Sequence, residues 1–266
     1  MTPNKIYTLI DLFAGCGGLS LGMEQAGFTS IFFNEIMPVF ASTYLYNRNI
    51  PDGHYFIGDI NELNANIQEY QHIWENISDG VDIVCGGPPC QGFSMANRQR
   101  VIDDPRNNLY KAYLQFLSVV RPKFFVMENV KGMANKIDEI KENFKEYLGE
   151  EYKCDFRLLK AQDFGVPQNR ERLFIVAWYK KLINVEEFKF PFGIDQDGNT
   201  IFDKKLAKEK AIITKVSDIF EPADSIDPKY TISDRLWQGH QNRKERNRQN
   251  GKGFGYSLFK ADSVYT

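Results

Sequence analysis

The chain has 266 residues, of which 42% are hydrophobic, 26% charged and 14% aromatic, and its formal net charge is −2. This composition is typical of a globular protein large enough for one sizeable domain and a smaller one. No apolar run approaches the roughly 18 residues of a membrane span. Four scattered cysteines and three histidines favour neither a disulfide framework nor a zinc cluster. We therefore expect a cytoplasmic protein without a bound metal.

Strand and helix patterns alternate from residue 6 to residue 179. Short apolar, β-prone runs predict seven strands, at residues 6–13, 30–33, 55–57, 81–85, 124–127, 154–159 and 173–178. Helical patterns lie between most of them, at residues 19–26, around Tyr44, at 109–120, and along the stripe Ile137, Ile140, Phe144 and Leu148. The alternation predicts an α/β fold with a doubly wound, mostly parallel, Rossmann-like sheet.

The pattern changes after residue 179. Turn-rich and charged segments follow, and no strand–helix alternation continues. We expect a domain of residues 1–185 and a second, irregular region of residues 186–266.

A glycine turn at residues 14–18 follows the first predicted strand. Counted from Gly15, the sixth residue is Ser20, so the third glycine of a dinucleotide fingerprint is missing. Glu35 lies about twenty residues further on, at a strand end, where an acid can bind ribose hydroxyls. These features favour a nucleoside cofactor without a pyrophosphate, a description that S-adenosylmethionine fits. Asp59, after the third strand, could receive its adenine amino group.

The stretch at residues 82–94 is the centre of the predicted chemistry. Its apolar strand is stopped by two glycines and two prolines, and Cys90 and Gln91 are the first polar side chains after the turn. Ligands bind beyond the carboxyl ends of parallel strands, so Cys90 is a candidate nucleophile. The alternative is that Cys90 is a small buried hydrophobic residue.

Charged residues supply the other candidates. Glu128 follows a strand expected beside that of Cys90, and Arg170 and Arg172 precede the last strand; each could equally be a capping or solvated residue. Residues 229–260 hold eight Lys and Arg against two acidic residues, a local charge of +6, with interleaved aromatic residues. This segment predicts a phosphate-binding surface, and a solvated loop is the alternative.

Six short motifs in this order resemble those of the cytosine-5 DNA methyltransferases. They are DLFAGCGG at 11–18, NE at 34–35, GDI at 58–60, GPPCQGFS at 87–94, MENV at 127–130 and QNRER at 168–172. The resemblance covers roughly residues 6–179. It implies that the domain of residues 1–185 is the catalytic, S-adenosylmethionine-binding domain and that residues 186–266 are part of a variable, target-recognition region. It implies transfer of a methyl group from S-adenosylmethionine to carbon 5 of a flipped cytosine in duplex DNA, in a bacterial restriction-modification system.

The resemblance also implies roles for individual residues. Cys90 would be the nucleophile, Glu128 the acid that contacts the base, and Arg170 and Arg172 its supporting arginines. Residues expected at the cofactor are Phe13, Gly15, Gly17, Glu35, Ile36, Asp59, Ile60 and Pro89. Residues expected at DNA are Gln91, Ser94, Arg243, Lys244, Arg246, Arg248 and Lys252.

The sequence also departs from the family pattern. Ile36 stands where a Trp is usual, and the family's C-terminal motifs are not visible. We therefore expect weak activity from this chain alone, with a second polypeptide supplying those motifs. A tRNA cytosine-5 methyltransferase and a binding-only fragment remain alternatives. Leu236-Trp237 and the glycine-aromatic run at residues 251–256 resemble variable regions that recognise CCWGG or CCNGG sites.

Overall fold

The computed structural model describes residues 6–77, 79–89, 109–182, 188–253 and 255–264. They form two compact units. The first comprises Met1–Leu159 and Glu171–Phe190, and the second comprises Lys160–Arg170 and Pro191–Thr266. No helix within these described segments is long and apolar enough to cross a membrane. The assignment of residues 1–185 to catalysis and of 186–266 to target recognition stays a prediction.

The first unit is built on a seven-stranded sheet with the spatial order β3-β2-β1-β4-β5-β7-β6. Its strands are β1 (Tyr7–Leu12), β2 (Phe28–Glu35), β3 (Tyr55–Ile57), β4 (Ile83–Gly86), β5 (Phe124–Val130), β6 (Tyr152–Lys160) and β7 (Glu171–Tyr179). The first five pair in parallel, and β7 runs antiparallel to β5. The predicted doubly wound, mostly parallel sheet is confirmed.

Helices cover both faces of this sheet. They are α1 (Gly18–Gln25), α2 (Pro38–Tyr46), α3 (Ile60–Ala65), α4 (His72–Glu75), α5 (Leu109–Val120) and α6 (Ile137–Leu148). The main core lies on the face covered by α3 to α6, around Phe32, Phe116 and Phe125, all fully buried. On the other face, α1 packs Leu19 and Met23 against a smaller apolar cluster. Burial on both faces explains why the central strands read as continuous apolar runs.

The fifth strand is longer than the sequence predicted. We expected it to end at Met127, but β5 continues to Val130 because β7 pairs with it as far as Arg172. Glu128 and Asn129 therefore lie within the last residues of a hydrogen-bonded strand. Their backbone is fixed by the sheet, which limits the positions that their side chains can take.

The second unit contains more regular structure than expected. Strands β8 (Gly193–Ile194) and β9 (Thr200–Ile201) form a small antiparallel pair, followed by α7 (Lys204–Lys210) and α8 (Asp234–Gln249). None of the residues of α8 is buried. Without an apolar stripe, the 16-residue helix gave no periodic signal in the sequence. Ser233 caps its N-terminus, where the Ser233 hydroxyl accepts a hydrogen bond from the Leu236 amide at 3.3 Å.

Candidate active site

The turn after β1 is shaped by backbone conformations that side chains rarely adopt. Gly15 and Gly17 have φ values of 56° and 86°, and Gly17 is the N-cap of α1. Phe13 also has a positive φ, 54°, which is unusual for an aromatic residue. A Cβ atom at Gly15 would meet nothing within 4 Å, so the turn leaves open space above its backbone. Strained backbone of this kind is common at ligand sites.

The carboxylate of Glu35 is fixed at the end of β2 by two backbone amides. The Gly15 amide donates to Oε2 at 2.7 Å, and the Met37 amide donates to Oε1 at 2.8 Å. Glu35 is only 6% exposed, whereas the next residue, Ile36, is 57% exposed. A carboxylate oxygen can accept more than one hydrogen bond, so each oxygen keeps accepting capacity. An acid beside an exposed apolar side chain and an open glycine turn fits the ribose and base of a nucleoside.

Asn34 links this site to the neighbouring strand. Its Nδ2 donates to the carbonyl oxygens of Phe56 and Gly58, both at 3.0 Å, and so joins the ends of β2 and β3. Asp59 follows directly and caps α3 through the Asn61 amide at 2.7 Å. The predicted cofactor residue Ile60 has its side chain in the core, 2% exposed, so a ligand could meet only its backbone. The sequence did not predict the role of Asn34 because its partners lie more than twenty residues away.

Asn129 performs a similar function at the turn after β4. Its Nδ2 donates to the Pro88 carbonyl oxygen at 2.9 Å, and the residue is 4% exposed. Gly86 is needed at the strand end because a Cβ atom there would lie 2.8 Å from the Leu12 carbonyl oxygen. The Pro88–Pro89 turn is thus attached to β5. Cys90, Gln91 and Ser94, which come next in the sequence, lie outside the described residues.

Glu128 and Arg172 form an ion pair at the edge of the sheet. The Arg172 Nε lies 3.0 Å from Glu128 Oε1, and each side chain is about one quarter exposed. Glu128 Oε2 points toward the Pro-Pro turn, where a Cβ atom on Gly87 would lie 3.3 Å from it. Two of the predicted catalytic residues are therefore together, beside the segment that leads to Cys90. Arg170 lies in the second unit, where its carbonyl oxygen accepts a hydrogen bond from the Ala161 amide.

Below the glycine turn lies a cluster that the sequence did not predict. The Arg48 Nη2 donates to the Gly17 carbonyl oxygen at 2.8 Å, and its Nε donates to Glu24 at 2.8 Å. The same guanidinium lies over the Tyr44 ring, 4.2 Å from its centroid. Arg48 thus connects the turn, α1 and the end of α2. These contacts join three elements that no sequence periodicity relates.

Asp11, in β1, is a buried acid next to a buried thiol. The Cys85 Sγ lies 3.4 Å from Asp11 Oδ1. Complete burial raises the pKa of Asp11 to about 7, although the neighbouring Ser20 and Cys85 side chains act in the opposite direction. Burial also raises the pKa of the Cys85 thiol, and the neighbouring acid adds to the effect. Cys85 is therefore an unreactive core thiol, in contrast to the role predicted for Cys90.

The predicted DNA-binding residues of the second unit are exposed. Arg243, Lys244, Arg246 and Arg248 all lie on α8, and Lys252 follows its C-terminus. Lys244 Nζ donates to the Tyr256 carbonyl oxygen at 3.0 Å and lies over the ring of the same residue. Arg248 forms a two-point ion pair with Glu245. The basic segment is thus an ordered helix with some of its charges paired within the protein.

Comparisons with known proteins identify the family of this chain. The family model of the C-5 cytosine-specific DNA methylases matches residues 7–266. The type II methyltransferase M1.ScrFI of Lactococcus lactis is 39% identical over 98% of this chain, which spans 60% of that relative. M.AquIA of Picosynechococcus is 37% identical over 79% of this chain and 88% of its own length.

A solved structure supports the fold. The Dnmt2 methyltransferase of S. pombe superimposes with a TM-score of 0.61 over 98% of this chain and 70% of its own, at 17% identity. The family model covers nearly the whole sequence. The chain therefore belongs to the C-5 cytosine-specific DNA methylase family.

Proposed function

We propose that this chain forms the catalytic part of a type II DNA (cytosine-5-)-methyltransferase. The reaction transfers a methyl group from S-adenosylmethionine to carbon 5 of a cytosine flipped out of duplex DNA. The observation that supports it most strongly is the Glu128–Arg172 pair at 3.0 Å, beside the fixed turn that leads to Cys90. The bacterial type II methyltransferases among the relatives support a restriction-modification role in the bacterial cytoplasm.

The cofactor would bind over the glycine turn. Glu35, oriented by the Gly15 and Met37 amides, would accept the ribose hydroxyls. Asp59 would accept from the adenine amino group, and the exposed Ile36 would lie against the adenine ring. Phe13, Gly17, the Ile60 backbone and Pro89 would complete the contacts. When bound, S-adenosylmethionine supplies an electrophilic methyl group on a sulfonium centre.

The residues at the base would make carbon 5 nucleophilic. The Cys90 thiolate adds to carbon 6, and Glu128 delivers a proton to ring nitrogen 3 so that the ring carries no extra negative charge. The electron pair at carbon 5 would then take the methyl group, while the bond between that methyl group and the donor sulfur breaks and its electrons stay on the sulfur as a neutral thioether. Loss of the carbon 5 proton to a base re-forms the ring double bond, the Cys90 sulfur leaves, and nitrogen 3 returns its proton.

The arginines would orient these groups. Arg172 holds one oxygen of Glu128 and would bind the carbonyl oxygen of the base, while Arg170 would order the surrounding site.

The target carbon lies inside the base stack, so the nucleotide must leave the duplex at a cost of a few kcal/mol. Gln91, Ser94, Arg243, Arg246 and Lys252 would contact the DNA, whereas Lys244 and Arg248 are engaged by contacts within the protein. A second polypeptide that carries the family's C-terminal motifs is the candidate protein partner. The candidate recognition sequences in DNA are CCWGG and CCNGG.

A covalent trap tests this proposal. The chain, alone and mixed with a C-terminal segment of a longer family member, is incubated with 5-fluorocytosine duplex DNA and S-adenosylmethionine. We expect a protein–DNA complex that survives denaturing electrophoresis, because fluorine at carbon 5 blocks the final elimination.

Cys90→Ser should abolish both this complex and turnover while DNA binding persists. Cys154→Ser, which changes a half-buried thiol in β6, is the matched control and should behave like the wild type. Turnover near wild type in Cys90→Ser would contradict the proposal. Methylation of tRNA but not of duplex DNA would show that the protein is a tRNA methyltransferase instead.

A further inference from the structure

Helix α8 presents two opposite stripes of side chains. Successive residues of an α-helix are rotated by about 100° around its axis. Residues at positions i, i+4, i+7 and i+11 therefore lie on one face. The first stripe contains Trp237, Gln241, Lys244 and Arg248. The second, which we call the outer stripe, contains Arg235, Gly239, Asn242 and Arg246 and lies about 160° away around the helix axis.

Side chains of the first stripe contact other residues of the protein. The rings of Trp237 and Tyr256 lie 4.7 Å apart between centroids. Lys244 binds Tyr256 through both its ring and its carbonyl oxygen, and Arg248 is paired with Glu245. The Trp237 and Lys244 contacts attach α8 to the segment after it, whereas the Arg248 pair lies within the helix. This stripe is therefore the inner side of the helix.

The outer stripe carries cations that the protein does not use. Arg235 and Arg246 are exposed, and Arg243 flanks them. Within the described part of the chain, no hydrogen bond or ion pair engages these three side chains. Of the two acidic residues in α8, Glu245 points away toward Arg248 and Asp234 lies in the first turn. Among the described residues, the outer stripe is thus a positively charged face without a paired counter-charge.

Gly239, between the two arginines, is the second observation. Its backbone is not in the left-handed region, and a Cβ atom added to it would meet nothing within 4 Å. Glycine is among the least favourable residues in a helix interior, and here neither conformation nor packing requires it. With glycine at this position, no side chain covers the helix backbone in the middle of the outer stripe. The backbone can be approached closely there from outside the protein.

We propose that the outer stripe of α8 is a docking face for duplex DNA, an inference that rests on the proposed function. Arg235 and Arg246 are eleven residues apart, roughly 16 Å along the helix axis. A major groove about 12 Å wide admits an α-helix between its phosphate strands. The two arginines contact phosphates on either side of the groove, and the helix backbone approaches the groove at Gly239. Lys244 holds the helix to Tyr256, Arg248 is paired with Glu245, and neither makes a DNA contact.

Two arginine substitutions provide a matched test. Arg246→Gln and Arg248→Gln remove the same charge two residues apart, from opposite sides of α8. Affinity for duplex DNA is measured by fluorescence anisotropy over a range of salt concentrations. We expect Arg246→Gln to weaken binding several-fold and to lower the salt slope by about 0.9, and Arg248→Gln to change affinity less than twofold. Equal losses in both variants would contradict the proposal.

Gly239→Gln separates docking from helix stability. A longer side chain should increase the helical protection of α8 in hydrogen exchange because glutamine is the better helix former. It should nevertheless weaken DNA binding about tenfold or more by blocking the close approach. Unchanged or tighter DNA binding would overturn the role given to Gly239. Gly239→Ala, which adds one methyl group, should show the same gain in protection with a smaller loss.

Failure of the docking-face proposal can be distinguished from failure of the proposed methyltransferase function. At saturating DNA, the outer-stripe variants should still form the 5-fluorocytosine complex, because Cys90 and Glu128 are unchanged. Absence of that complex in the wild-type protein would instead overturn the proposed chemistry. Anionic vesicles serve as a further arm: binding to vesicles but not to duplex DNA would show that the outer stripe has a different ligand.

Discussion

The site in the first unit and the outer stripe of α8 hold their polar side chains in different ways. Around the sheet edge, Glu35, Asn34 and Asn129 are buried and are fixed by hydrogen bonds to the backbone of other segments. On α8, Arg235 and Arg246 are exposed and rely on the helix alone for their position. The first arrangement fixes distances between reacting groups, and the second provides charge. The difference matches a division between chemistry, which needs geometry, and DNA affinity, which needs cations.

Energetics follow the same division. A buried side chain whose hydrogen bond is removed leaves an unpaired partner at a cost of roughly 1–3 kcal/mol. An exposed charge contributes less and is screened by salt. Single substitutions at the sheet edge should therefore have large, specific effects, and those on α8 graded, salt-dependent ones.

Substitution of the acid that faces the Pro-Pro turn should have the largest effect. Glu128→Gln keeps the shape and can still bond Arg172, but it cannot deliver a proton to ring nitrogen 3. We expect the turnover number to fall roughly 10²- to 10⁴-fold, the usual contribution of general acid–base catalysis, with little change in DNA affinity.

Glu151→Gln is the control for this prediction. Glu151 is a surface carboxylate paired with Arg121 at 2.9 Å, so its substitution should leave turnover within twofold of the wild type. If Glu128→Gln and Glu151→Gln have similar turnover, Glu128 has no catalytic role and the contrast between the two regions fails.

The buried acid of β1 predicts a pH dependence of stability that no group of α8 should show. The pKa of Asp11 is raised from 3.8 to about 7 in the folded protein. Between about pH 4 and pH 7 the folded state keeps a proton that the unfolded state releases, so Asp11 lowers stability as pH rises. The shift corresponds to about 4 kcal/mol.

Chemical unfolding of the wild type and of Asp11→Asn at pH 5, 6, 7 and 8 measures this contribution. The difference in unfolding free energy between the two proteins should shift in favour of the variant as pH rises, and it should level off above about pH 8. A difference that does not change with pH would show that Asp11 is not protonated in the folded state.

A smaller effect is expected from the cluster below the glycine turn. Arg48→Met removes the bond to the Gly17 carbonyl oxygen and the pairing with Glu24. We expect the KM for S-adenosylmethionine to rise about tenfold, in line with the loss of a charged hydrogen bond, while kcat changes less than threefold. Steady-state kinetics with varied methyl donor measure both.

Lys145→Met, which breaks an exposed pair with Glu150, is the matched control and should leave both constants unchanged. Arg48→Lys should restore part of the affinity, since a lysine keeps the charge but cannot reach both partners as a guanidinium does. If Arg48→Met lowers only thermal stability, the cluster supports the fold and does not position the cofactor turn.

The sequence predicted much of the first unit and its site, but it did not predict helix α8 of the second unit. Short apolar runs identified the seven strands, and motif residues such as Glu35 and Glu128 lie at strand ends as expected. The contacts of Arg48, Asn34 and Asn129 could not be predicted, because each joins segments far apart in the chain. Helix α8 was missed for a different reason. It has no apolar stripe, so its sequence has the composition of a solvated loop.

The most direct measurement follows the hydrogen on carbon 5 of the target cytosine. Duplex DNA tritiated at that position is incubated with the protein, alone and with the C-terminal segment, and with methyl donor labelled by ¹⁴C. Our account predicts that one tritium is released to water for each methyl group incorporated, and that Cys90→Ser shows neither. Methyl incorporation without tritium release would contradict it, because the methyl group would then have been transferred to an atom other than carbon 5.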